Sequence, residues 1–175
     1  AISTDATGAN GVFSYGGNGG QNGAAGDGTT VTISDSIIRT SGDNAGGIMT
    51  TGGGITYAND LDIITEGRSS AAIRTDRGGG EAYVDGGSYL TNGSGSPAIY
   101  STADITVEDS YLSSDGSQGV VVEGSNSVTL NNVDMVANNT EKNSDKSEYY
   151  QAVMMYQSQS GDAAEGLSAF SMTGG

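Results

Sequence analysis

The sequence predicts an all-β solenoid, a chain coiled into stacked turns with three short strands in each turn. The first observation is a motif, a small residue followed by apolar residues, which recurs at Gly47-Ile48-Met49, Ala72-Ile73-Arg74, Ala98-Ile99-Tyr100, Gly119-Val120-Val121-Val122 and Ala152-Val153-Met154-Met155. With Ile48, Ile73, Ile99 and Val121 taken as equivalent, the steps are 25, 26 and 22 residues. A repeat of this length cannot bury its apolar face alone, so it stacks on its neighbours.

The second observation is that each repeat contains two more short strands. One series alternates apolar and mostly polar residues, which is typical of a half-buried strand, at 31–33, 55–57, 82–84, 105–107, 128–130 and 170–172. A second alternation follows each of the first five after three or four residues, at 36–38, 61–63, 87–89, 110–112 and 133–135. Three strands per turn predict a triangular coil.

The third observation concerns the residues that lie between these two series of strands. They are types that tolerate turn geometry, namely Ser34-Asp35, Asn59-Asp60, Asp85-Gly86, Glu108-Asp109 and Asn131-Asn132. A composition of 30 Gly and one Pro in 175 residues is also found in disordered chains. The regular apolar ladder argues against disorder here, and the lack of a sustained helical stripe argues against helical repeats.

In turn length, in its stacked Ile, Val and Leu positions and in its small corner residues, the chain resembles the right-handed parallel β-helix proteins of the pectate-lyase-like superfamily. The resemblance extends from about Gly11 to Gly175. The turns rich in Gly, Ser and Thr are similar in style to adhesin-like proteins of bacterial surfaces and secretions. This resemblance implies an extracellular or cell-surface location in a bacterium. The superfamily contains enzymes as well as adhesins, so the fold alone leaves the function open.

The length predicts a single domain over 1–175 with six or seven turns, since each turn takes about 25 residues. The last repeat stops before its second strand, and neither end contains a capping element. We therefore expect a piece of a longer solenoid, or head-to-tail self-association through the incomplete end turns. Three stretches are predicted to leave the coil as loops, at 16–29, 138–150 and 157–166.

The charge restricts the partners of the chain. The net charge is −15, from 21 acidic and 6 basic residues with no His, which disfavours nucleic acids and anionic membrane surfaces. No apolar run is long enough to insert into a membrane. The partners that we expect are a polysaccharide or a protein on a host or microbial surface.

Two groups of residues are candidate binding sites. One is an outer face formed by Arg74, Asp76 and Arg77 together with Tyr100 and Glu123, since half of the arginines lie here in a chain that otherwise avoids positive charge. The other is a groove beside the C-terminal loops with Tyr149, Tyr150 and Tyr156, whose rings suit sugars or protein partners. The alternatives are an Arg–Asp pair that only braces a corner and loops that are only solvated.

Catalytic and metal-binding signals are sparse. The chain has no His, and its Lys residues occur only within 138–150, so the bases that β-helix lyases and hydrolases use have no match. The carboxylates that remain for a hydrolytic pair are Asp76, Glu81, Asp104 and Glu123. We predict no cofactor, with Ca²⁺ left open. The predicted function is a non-enzymatic module that forms a rigid scaffold for binding or fibre assembly; the alternative is a carbohydrate-active enzyme with its site on one face or beyond residue 175.

Overall fold

The computed structural model describes residues 1–17, 28–139, 151–157 and 161–175. These residues form sixteen strands and no helix. The strands are β1 (Ile2–Thr4), β2 (Val12–Tyr15), β3 (Thr30–Ser34), β4 (Ile37–Thr40), β5 (Ile48–Thr51), β6 (Gly54–Thr65), β7 (Ile73–Asp76), β8 (Gly80–Thr91), β9 (Ile99–Ser101), β10 (Asp104–Glu108), β11 (Tyr111–Ser114), β12 (Val120–Glu123), β13 (Ser127–Asn131), β14 (Asp134–Ala137), β15 (Val153–Tyr156) and β16 (Ala169–Thr173).

The strands pair in parallel and stack into three ladders. A six-stranded sheet contains β2, β5, β7, β9, β12 and β15 in that spatial order. A ten-stranded sheet contains the other two ladders, and the long strands β6 and β8 belong to both of them. Each turn gives one strand segment to every ladder, so the predicted all-β parallel solenoid with three strands per turn is confirmed.

The number of turns is lower than predicted. The structure has about four turns; those described without interruption run over 30–51, 54–76, 80–101 and 104–123, with further strands stacked at both ends. The predicted six or seven turns assumed that every residue belongs to the coil. Loops were predicted at 16–29, 138–150 and 157–166, and of these residues 18–27, 140–150 and 158–160 lie outside the described part of the chain.

The predicted corners adopt the backbone geometry that their residue types allow. Asp35, Asp60, Gly86, Asp109 and Asn132 follow one another at the same corner, with φ between 48° and 72°. Gly reaches this left-handed region without strain, and Asp and Asn tolerate it better than other residues. The side chains also bond along the stack, since the Asn132 amide donates to Asp109 at 2.5 Å. This corner explains why the two strand series are always separated by such residues.

A second corner, which leads to the six-stranded sheet, requires glycine for a different reason. A Cβ at Gly67 would lie 1.9 Å from the carbonyl oxygen of Gly42, and a Cβ at Gly93 would lie 1.9 Å from that of Gly67. Successive turns therefore contact each other through bare backbone. A buried hydroxyl bridges the same corner in each of three turns. Thr40 donates to the carbonyl of Ala45 at 2.6 Å, Thr65 donates to that of Ser70, and Thr91 donates to that of Ser96.

The core is a stack of apolar side chains inside the coil. Ile48, Ile73, Ile99 and Val120 are fully buried and lie one above another. The register corrects one prediction, because Ile99 pairs with Val120 and not with Val121. The corner before Val120 has five residues, 115–119, whereas 92–98 in the previous turn has seven. The step from Ile99 to its partner Val120 is therefore 21 residues and not 22, and Val121 pairs with Tyr100 on the outer side. No helix long and apolar enough to cross a membrane occurs in the described part.

Candidate binding groove

The outer face of the six-stranded sheet contains most of the predicted site residues. In β7 the side chains of Ile73 and Thr75 are buried, while those of Arg74 and Asp76 point outward and are partly exposed. The ladder places Arg74 beside Met49 on one side and Tyr100 on the other. This period of two residues is the reason why charged and apolar residues can alternate within one short strand.

Arg77 is held at the edge of this face by the glycines that follow it. Gly78, Gly79 and Gly80 all have positive φ, at 85°, 68° and 138°. The Gly80 position also lacks room for a side chain, because a Cβ there would lie 2.6 Å from the carbonyl oxygen of Gly54. The chain therefore turns sharply after Arg77, and its guanidinium stays beside the end of β7.

A groove of about 360 Å³ opens on this face. Its polar lining is made of Arg74, Asp76, Arg77, Tyr100 and Asp162. Its remaining lining consists of small or rigid residues, namely Ser69, Ala71, Gly95 and Pro97. The volume lies within the range of small-molecule sites. A second depression of about 400 Å³ shares Asp162 and continues between 78–79 and 161–164.

One wall of the groove is fixed by an ion pair between distant parts of the chain. The Arg77 Nε donates to the Asp162 carboxylate at 2.6 Å, and the Arg77 backbone N–H donates to Asp76 at 3.0 Å. The Asp162 carboxylate raises the pKa of the Arg77 guanidinium through its hydrogen bond and its charge. Arg77 thereby joins two carboxylates, and Asp162 is held against the third corner of the coil, which in this turn comprises 77–79 between β7 and β8.

The opposite wall contains a second, looser ion pair. Arg74 lies 3.4 Å from the Asp76 carboxylate, and it donates to the carbonyl of Asn44 at 3.4 Å. Its side chain is 18% exposed, so most of it packs along the sheet. The groove therefore presents two guanidinium groups and two carboxylates, and its lining is balanced in charge although the chain has a net charge of −15.

The floor of the groove ends in a buried hydrogen-bond cluster. Glu123 is 0% exposed, and its carboxylate accepts from the hydroxyls of Tyr100 at 2.5 Å and Tyr156 at 3.0 Å. The prediction that Glu123 is exposed on the outer face is wrong. Glu123 does lie on that side of β12, beside Tyr100 and Tyr156, but its side chain is buried.

The two phenols are held in their neutral form. Burial is the main cause that raises the pKa of Tyr100, and the hydrogen bond to Glu123 adds to it. Burial also raises the pKa of Tyr156 to about 12, with the Glu123 charge acting in the same direction and the hydrogen bond to Tyr100 opposing it. Both hydroxyls therefore act as donors at neutral pH, which fixes the Tyr100 ring at the side of the groove.

The structure brings six of the eight predicted site residues together: Arg74, Asp76, Arg77, Tyr100, Glu123 and Tyr156. Tyr149 and Tyr150 lie outside the described residues. Thr102, which follows β9, is buried and does not belong to the outer face, and its N–H donates to Thr75 Oγ1 at 2.6 Å.

The proposed set of hydrolytic carboxylates does not form one group. Glu81 and Asp104 pair with each other on the ten-stranded sheet, whereas Asp76 and Glu123 belong to the six-stranded sheet. The carboxylate that lines the groove together with Asp76 is instead Asp162, which the sequence did not single out. Its loop was predicted, and the signal that could have identified it is an acidic loop in a chain whose few arginines cluster elsewhere.

Among the described residues no group of three or more acidic, His or Cys side chains could hold a metal ion. Comparisons of the chain with protein-family models, with curated proteins and with solved structures gave no match. The solenoid fold is confirmed, whereas the likeness to pectate-lyase-like and adhesin-like β-helices stays a prediction.

Proposed function

We propose that this chain is a non-enzymatic β-helical module of a bacterial surface or secreted protein, adhesin-like in style, that binds neutral sugar units of a polysaccharide in its groove. The observation that carries the proposal is the groove of about 360 Å³ with Arg74, Asp76, Arg77 and Asp162 around the Tyr100 ring. The solenoid supplies a rigid support, because these residues are anchored to strands and to a corner fixed by glycines.

The balanced charge of the groove favours a neutral polar ligand. Each sugar hydroxyl donates and accepts hydrogen bonds, so neighbouring hydroxyls match a surface where guanidinium donors alternate with carboxylate acceptors. Arg77 uses its Nε and backbone N–H on the two aspartates, while its side chain is 50% exposed. Its terminal N–H groups are thus available to a ligand without breaking the pair.

Tyr100 supports the same class of ligand. Its hydroxyl is committed to Glu123, and its ring lines the groove. An aromatic ring next to polar groups fits a molecule with an apolar face and hydroxylated edges, which describes a sugar ring. A nucleic acid or an anionic lipid would meet net repulsion from the chain.

The test is a calorimetric titration with oligosaccharides of β-1,4-glucan, β-1,4-mannan and β-1,4-xylan, and with polygalacturonate as an acidic comparison. We expect at least one neutral polymer to bind and polygalacturonate to bind more weakly. Arg77→Ala should lower the affinity about tenfold, since it removes a charged donor at the centre of the site.

The matched control for this substitution is Arg39→Ala. Arg39 also pairs with one aspartate, Asp62 at 2.7 Å, but it belongs to the ten-stranded sheet. Affinity should be unchanged in this variant. The proposal is wrong if no neutral polymer binds, or if Arg77→Ala and Arg39→Ala have the same effect.

One observation favours the alternative of a carbohydrate-active enzyme. Asp76 and Asp162 both bond to Arg77 and both line the groove beside Tyr100, and a pair of carboxylates on one site is the usual requirement for glycoside hydrolysis. New reducing ends that form from one of these polymers, and that are lost in Asp162→Asn, would establish this activity. Binding without any new reducing end favours the module. Binding of a surface protein and head-to-tail assembly stay predictions.

A further inference from the structure

A second feature of the same outer face is a pair of exposed aromatic side chains. Phe13 and Tyr15 in β2 are 52% and 40% exposed, and their rings lie parallel within 6° at a centroid distance of 6.2 Å. Two neighbouring exposed rings form one apolar surface, and such a surface suits contact with a ligand better than a single exposed side chain does. We call this pair the aromatic platform.

The register places the aromatic platform in line with the groove. Phe13 pairs with Met49, which pairs with Arg74. Tyr15 pairs in the same way with Thr51, which pairs with Asp76. With a spacing of about 4.8 Å between neighbouring strands, the platform lies about 10 Å from Arg74 and Asp76 along the solenoid axis.

The strip of β5 between the platform and the groove consists of Met49 and Thr51, whose side chains protrude little. The Thr51 hydroxyl turns back to the carbonyl oxygens of Asp76 and Arg77, so that Thr51 is only 7% exposed. Met49, the other residue of this strip, is partly buried and offers an apolar thioether surface. A chain that lies in the groove can therefore continue onto the platform without meeting a protruding side chain of β5.

We propose that the aromatic platform is a second sugar subsite, and that the ligand is an extended β-1,4-linked neutral oligosaccharide that lies along the solenoid axis from the groove to Phe13 and Tyr15. This inference rests on the proposed function of the groove. A straight parallel ladder fits an extended chain, and β-1,4 linkages keep a sugar chain extended. The groove contacts hydroxyls, and the platform contacts the apolar faces of sugar rings further along the chain.

The ten-stranded sheet provides a matched control. Tyr57 and Tyr83 also form a parallel exposed pair, with 42% and 40% exposure and a centroid distance of 5.3 Å. Their other register neighbours are Thr32 beside Tyr57 and Thr106 beside Tyr83, and the Tyr83 hydroxyl donates to Glu81. This second pair tests whether any exposed aromatic pair suffices or only the one aligned with the groove.

The experiment compares the disaccharides and hexasaccharides of β-1,4-glucan, β-1,4-mannan and β-1,4-xylan by calorimetric titration. The unmodified protein should bind one hexasaccharide about tenfold more tightly than its disaccharide. The double variant Phe13→Ser with Tyr15→Ser should lose this gain and keep the disaccharide affinity. The double variant Tyr57→Ser with Tyr83→Ser should bind both as the unmodified protein does, and circular dichroism should show that all variants keep the fold.

Four outcomes would overturn the inference. If the hexasaccharide gains nothing over the disaccharide, or if the platform variant keeps the gain, the site ends at the groove and the proposed function still stands. If the platform instead mediates self-association, sedimentation of the unmodified protein will show a dimer that the platform variant lacks. If no sugar binds to the unmodified protein, the proposed function fails and the second subsite fails with it.

Discussion

At the scale of single residues, Glu123 is the side chain whose surroundings decide the shape of the groove. A carboxylate that is fully buried loses its hydration, and hydrogen bonds to the charged group must offset that cost. The hydroxyls of Tyr100 and Tyr156 supply two such bonds. Glu123 therefore acts as a positioning residue in the proposed site, since it holds the Tyr100 ring that lines the groove.

Replacing Glu123 by Gln should destabilise the protein. The amide offers a neutral acceptor and introduces N–H donors among phenol donors, so the free energy of unfolding should fall by about 2 kcal/mol. Urea unfolding followed by circular dichroism measures this. The control is Glu66→Gln, an exposed carboxylate that accepts from Asn92, which should change the unfolding free energy by less than about 0.5 kcal/mol. Equal effects of the two substitutions would contradict the structural role of Glu123.

The buried tyrosines predict a loss of stability at high pH. The pKa is raised to about 12 in Tyr156, and burial also raises the pKa of Tyr89 and Tyr100 above the ordinary value of 10. These groups keep their proton in the folded state while the unfolded chain loses it, so stability is complete below pH 10 and falls as the pH rises above it. Urea unfolding between pH 9 and about 12 should show this fall, and Tyr156→Phe should make it shallower. A flat profile would contradict the burial of these phenols.

The sequence showed which residues are unusual more readily than it showed which residues contact each other. The isolated cluster of Arg74, Asp76 and Arg77 was visible because positive charge is so rare in this chain. The partner Asp162 was not, because it lies 85 residues away and reaches Arg77 only when its loop packs against the third corner. The buried Glu123 likewise contacts Tyr156, which lies 33 residues away, and no local pattern encodes that contact.

At the scale of elements, the strands and corners follow from short-range rules. Alternation located the strands, and the left-handed corner residues located the bends, because each rule involves only neighbours in sequence. The register of β12 did not follow, since the corner at 115–119 is two residues shorter than the one before it. A run of three valines offers no pattern that would reveal such a shift.

The glycine column at the second corner gives the sharpest test at this scale. Gly67→Ala should lower the free energy of unfolding by about 3 kcal/mol or more, because the new methyl group meets the rigid carbonyl of Gly42 at 1.9 Å. The comparison is Gly116→Ala in the same column, where the nearest atom is 3.1 Å away and a small shift suffices. Thermal unfolding of the two variants should rank them in this order. A Gly67→Ala protein as stable as the Gly116→Ala protein would show that the turns do not stack at this distance.

At the scale of the whole molecule, the solenoid carries a large negative charge. With a net charge of −15, the excess carboxylates repel one another in the compact folded state, and salt screens this repulsion. We expect the thermal midpoint to rise by a few degrees between about 0.01 M and about 0.15 M NaCl. CaCl₂ at matched ionic strength should give a similar rise. A much larger stabilisation by CaCl₂ would instead indicate a dedicated Ca²⁺ site, for which the described residues offer no acidic cluster.

We propose that the face of the six-stranded sheet binds a neutral sugar chain. Chemical-shift mapping of the isotope-labelled protein with the best-binding hexasaccharide locates the bound sugar, because every backbone amide reports its own surroundings. We expect the largest shifts around Arg74, Arg77, Tyr100 and Asp162, with a second group around Phe13 and Tyr15. Shifts centred on Tyr57 and Tyr83, or no shifts at saturating sugar, would contradict it.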